Sequence, residues 1–89
     1  MKSITILGKA YKITELTEIA SQGNMGSTNR TKQIIHVDKE LQKDQYSETI
    51  LHEMLHIIDG ELNLGLDEDT IARLAVGIYS AHVDLKRIF

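Results

Sequence analysis

The chain has 89 residues, 42% of them hydrophobic and 26% charged. That is the balance of an ordinary globular chain with one modest core, so residues 1–89 read as a single domain. It contains no cysteine, which excludes disulfides, thiolate metal sites and Cys nucleophiles. Its net charge of −3 carries none of the basic excess that nucleic acid demands.

The N-terminus MKSITILGKAYK has one early lysine and a short apolar stretch that alternates and is soon broken by charge. It is no signal peptide, and no apolar run reaches the ~18–20 residues of a membrane span. The cytoplasm is the expected location, with neither membrane nor nucleic acid as partner.

The first half reads as strands. Ile4 and Ile6 alternate with Ser3 and Thr5, and Gly8 breaks the run. Tyr11, Ile13 and Glu15 alternate with Lys12, Thr14 and Leu16, and Gly8-Lys9-Ala10 has the length of a hairpin loop. The Gly/Ser/Asn-rich stretch Ser21–Arg30 supplies turns and room for a short edge strand. Gln33–Asp38 then forms a strand of mostly buried character. These pieces predict an α+β fold that begins with a small, mostly antiparallel sheet of three to four strands.

Two helices follow. From about Asp44 to Leu64, the apolar positions Ile50, Leu51, Met54, Leu55, Ile57, Ile58 and Leu62 give a broad apolar face. Ser47 or Asp44 is the expected N-cap, and Asn63 with Gly65 the stop, since both tolerate positive φ. Asp67 is a good N-cap for the second helix, which runs to about Lys86. Ile71, Leu74, Ala75, Ile78 and His82 or Val83 form its expected core stripe.

The first helix carries His52-Glu53-Met54-Leu55-His56, the H-E-x-x-H pattern. Residues four apart sit one turn above each other on one face, so two imidazoles can converge on one zinc ion (Zn2+) at ~2.0–2.1 Å. Glu53 sits beside His52, placed to take a proton from a water that the metal acidifies. The bare pattern also arises as an accident of helix spacing. Its place in mid-helix argues otherwise, as does the cost of burying two His and a Glu in a small core.

A catalytic zinc site needs three protein ligands and one open position. Candidates after His56 are Asp59, Glu61, Asp67, Glu68, Asp69, His82 and Asp84. Asp59 shares the helix face but is short; it reads as a hydrogen-bond acceptor for a ligand His, or as solvated. Glu68 precedes Ile71 by three residues and Ala75 by seven, so it continues the stripe of the second helix and is the chosen third ligand. Its bland alternative is an acidic residue that favours a helix N-terminus.

These residues resemble the gluzincin metallopeptidases, which carry H-E-x-x-H on one helix and a Glu on the next. The likeness is greatest to the minimal forms, the minigluzincins, and to ImmA/IrrE-type metallopeptidases of phages and mobile elements. It rests on Glu48 through Tyr79, with Gln33–Asp38 similar to the strand before the active-site helix. The resemblance implies a zincin-like fold with the active-site helix first, His52, His56 and Glu68 as zinc ligands, and Glu53 as catalytic general base. It implies a zinc-dependent peptidase acting on a peptide or protein, in a phage setting a regulatory one. The chain departs from the pattern in two places. No sizeable C-terminal subdomain follows the helix pair, and Asp-Thr-Ile-Ala-Arg stands where many relatives carry an Asn-containing signature.

Tyr79, His82 and Tyr46 are candidate donors to a developing oxyanion, with Tyr79 read as core packing and His82 as a boundary residue. His36 is expected on the solvent face or the site rim. In known zincins an edge strand above the active-site helix receives extended peptide by strand addition, and Gly23–Arg30 is the segment for it here. Two further readings stay open. One is a non-catalytic zinc-binding interaction module with a fourth ligand from His36, His82 or a neighbouring chain. The other is a metal-free α+β domain.

Overall fold

A computed structural model describes residues 2–17 and 25–88, with side chains through residue 82. The expectations for Ser21–Asn24, and for the side chains of Val83 and Asp84, lie outside the described residues. The chain forms four strands, β1 (Lys2–Ile6), β2 (Lys9–Leu16), β3 (Gly26–Asn29) and β4 (Ile34–Asp38). Two helices follow, α1 (Lys43–Leu62) and α2 (Glu68–Ile88). This is the expected α+β order.

The sheet order is β1-β2-β4-β3. The β1/β2 and β3/β4 ladders are antiparallel, while the central β2/β4 ladder is parallel, pairing Ile13 with Ile35 and Thr14 with His36. The β1–β2 turn is Leu7-Gly8, with φ of 49° and 82°. Two successive positive φ values are those of a type I′ turn, whose twist matches that of the flanking strands. The turn thus precedes the expected Gly8-Lys9-Ala10, and Lys9 and Ala10 already belong to β2.

Period-two alternation sorts the strands into faces. Tyr11 and Ile35 are fully buried and, with Ile6 and Ile57, form the core, flanked by Ile4, Ile13, Met54 and Ile58. Helix α1 therefore covers one face of the sheet. Helix α2 packs chiefly on α1 and, among the described residues of its expected stripe, buries only Ile71 and Ala75. Leu74 and Ile78 are 40% and 42% exposed. The reason is layering: α1 lies against the sheet and α2 makes its main contacts with α1, along a narrow line.

The helix ends differ from expectation at one cap. Gln42 occupies the N-cap of α1 without a side-chain bond, ahead of Asp44 and Ser47. Asp44 is in the first turn, where its carboxylate suits the positive helix end. Asn63 closes α1 in the left-handed conformation with φ 53°, and Gly65 follows at φ 71°. Asp67 caps α2 as expected, accepting the Thr70 N–H at 2.7 Å. That amide holds the Asp67 carboxyl below the usual carboxylate range. Among the described residues, no helix is long and apolar enough to cross a membrane.

Candidate metal centre

The antiparallel α1–α2 pair brings His52 and His56 opposite the first residue of α2, Glu68. One turn of helix separates the two imidazoles, whose ring centroids lie 4.9 Å apart. His52 Nε2 is 2.6 Å from Glu68 Oε1, His56 Nε2 is 2.8 Å from Glu68 Oε2, and the two Nε2 atoms are 3.2 Å apart. In a tetrahedral site with bonds of ~2.0–2.1 Å, neighbouring ligand atoms stand about 3.3–3.4 Å apart. The two imidazole nitrogens match that spacing, while each stands closer, at hydrogen-bond distance, to a different oxygen of Glu68. Two imidazole nitrogens and a carboxylate this close need protons or a cation between them, and two neutral nitrogens with one carboxylate are a set that divalent zinc accepts. Among the described residues, this is the group of His and carboxylates able to hold a metal ion.

The group opens into a cavity of about 550 Å³, walled by Met25 and Gly26 from the β3 side and by Glu48, Thr49 and Glu53 from α1. Glu68 has its side chain 67% exposed, so this end of the group is open to solvent. Glu53 behaves differently. It is 8% exposed, and its Oε1 accepts a hydrogen bond from Thr28 Oγ1 at 2.7 Å. The strand can come this near because Gly26 has no side chain. A Cβ there would stand 2.7 Å from Thr49 Cγ2 and 3.5 Å from Glu53 Cγ.

Asp59 does not bond either histidine. Its Oδ1 accepts the Leu66 N–H at 2.9 Å and its carbonyl oxygen accepts the Leu64 N–H at 3.1 Å. It therefore fixes the connection that delivers Glu68. The other singled-out residues stand apart from the cavity. His36 alternates with the fully buried Ile35 and Val37 and so faces away from α1, paired with Thr14 and Ser27. Tyr79 donates to Asp44 Oδ1 at 2.9 Å, tying α2 to the start of α1, and this bond raises its hydroxyl above the usual phenol range. Tyr46 lies under Lys2, whose Nζ is 5.1 Å from the ring centroid. Burial, then the nearby Glu15 carboxylate, push its hydroxyl up to about 12. His82 is exposed and ~21 Å along the helix axis from Glu68.

Sequence reasoning brought His52, His56 and Glu68 together from helical periodicity. It missed Thr28, for which no local signal exists, because the contact spans 25 residues of chain. Comparison with protein-family models, with curated proteins and with solved structures finds no match in any of the three.

Proposed function

We propose that the chain is a zinc-dependent peptidase of minimal gluzincin type, in which His52, His56 and Glu68 hold the metal and Glu53 is the general base. The reading is carried by one observation: both Nε2 atoms and both Glu68 oxygens converge within 2.6–3.2 Å, at the edge of a cavity that Glu53 also lines. A structural zinc site fills all four positions with protein ligands. Among the described residues the group supplies three, and the side left open is the one a substrate needs. A divalent ion held by His52, His56 and Glu68 would supply Lewis acidity towards a peptide carbonyl and water.

The chain's own residues do the rest. Glu53 takes a proton from the water whose oxygen attacks the carbonyl carbon. It then gives that proton to the leaving nitrogen as the C–N bond breaks. The exposed edge of β3 beside the cavity suits an extended peptide, whose backbone would pair with it. The substrate class is accordingly a peptide or protein segment, the expected setting is the cytoplasm, and a phage or prophage regulatory role rests on the resemblance alone.

The test is elemental mass spectrometry of protein purified without chelator, beside Glu68→Ala, followed by hydrolysis of a quenched-fluorescence peptide library. One equivalent of zinc in the parent and far less in the variant is the expected result. Glu53→Gln should keep the metal and lose hydrolysis. A parent that takes up no zinc at neutral pH would overturn the metal site, and an active Glu53→Gln would overturn the general base.

A further inference from the structure

We propose that Thr28 is a positioning residue for Glu53, an inference that rests on the peptidase reading above. A glutamate has three rotatable side-chain bonds, and α1 alone does not say where its carboxylate stops. Here Oε1 accepts from Thr28 Oγ1 at 2.7 Å. This leaves Oε2 as the oxygen available to the cavity that Glu53 lines.

The donor is itself held. Thr28 is β-branched and stiff about its first side-chain torsion. It pairs in register with Ile35, which is fully buried in the core. Two residues earlier on the same face of β3, Gly26 lets the strand sit directly on Thr49 and Glu53. A carboxylate only 8% exposed has few other donors to turn to, and a buried acceptor without a partner is costly. The edge strand that would seat the substrate therefore also sets the base.

The experiment compares the parent with Thr28→Val and Thr28→Ser at full zinc loading, checked by elemental analysis, on the same quenched-fluorescence peptides. Thr28→Val removes the donor at nearly constant shape. It should lower kcat about tenfold to hundredfold, the cost of a misplaced reacting group, with KM and zinc content unchanged. Thr28→Ser should restore kcat.

A second readout needs no activity. In thermal melts of the metal-free protein, Thr28→Val should lower the Tm when residue 53 is Glu. It should cost little in a Glu53→Leu background. An active parent whose Thr28→Val variant keeps its kcat overturns the assignment of Thr28, as does an equal Tm cost in both backgrounds. A fully loaded parent that cleaves nothing overturns the peptidase reading itself, and the positioning role falls with it.

Discussion

Gly26 has no room for a methyl group, because its missing Cβ would meet the Thr49 methyl at 2.7 Å and the His36 carbonyl oxygen at 3.0 Å. Gly26→Ala should destabilise the protein by about 1–3 kcal/mol, the usual cost of overpacking, read from the urea midpoint. It should also push β3 off the site helix. Tyr46 makes a pH prediction. Its hydroxyl is pushed up to about 12 from the ordinary 10, so the folded protein keeps this proton after the unfolded chain has lost it. The contribution to stability is complete below pH 10 and declines as pH rises through 12. Urea midpoints at pH 9 and pH 11 should fall less in Tyr46→Phe than in the parent. At this scale, legibility follows sequence distance. His52 and His56 were readable because a helix turn is local, whereas the contact of Glu53 with Thr28 depends on strand register.

At the scale of elements, the two helices, Asn63 as stop and Asp67 as cap were readable because each signal lies within a few residues. The parallel β2/β4 ladder was not, since strand direction is decided by the route of the intervening chain. The first hairpin was placed late because Leu7 is a poor residue for positive φ. Leu7 adopts φ 49° and is 54% exposed, so its side chain contributes little packing against that strain. Leu7→Asn should stabilise the fold by about 1 kcal/mol, since asparagine tolerates the left-handed region, measurable as a higher urea midpoint. Asp59 yields the opposite outcome. Asp59→Ala removes the acceptor of the Leu66 N–H and should cost about 0.5–1.5 kcal/mol. Zinc affinity, titrated with a competing chelator, should fall too, because Glu68 loses its fixed approach.

For the whole molecule, the layering of sheet, α1 and α2 puts α1 in the middle, with His52 and His56 turned to Glu68 of α2 and Glu53 turned to Thr28 of β3. Zinc that binds only the folded chain should raise stability by about 2.7 kcal/mol at a hundredfold excess over its Kd. A thermal melt should show the gain, and chelator or His52→Ala should abolish it. The order of chain closure follows from the same layering. His52 and Glu68 are 16 residues apart and Thr28 and Glu53 are 25 apart, and Thr28 sits on a strand held by its pairing with β4. Closing longer loops costs more entropy, and non-local strand pairing is slow. We expect the helix hairpin to close His52 onto Glu68 before β3 brings Thr28 to Glu53, an order that pulsed hydrogen exchange of the α1 and β3 amides would read. On the peptidase reading, the groups proposed to hold metal would then meet before the proposed base is seated, and a chain still folding would stay unable to cut.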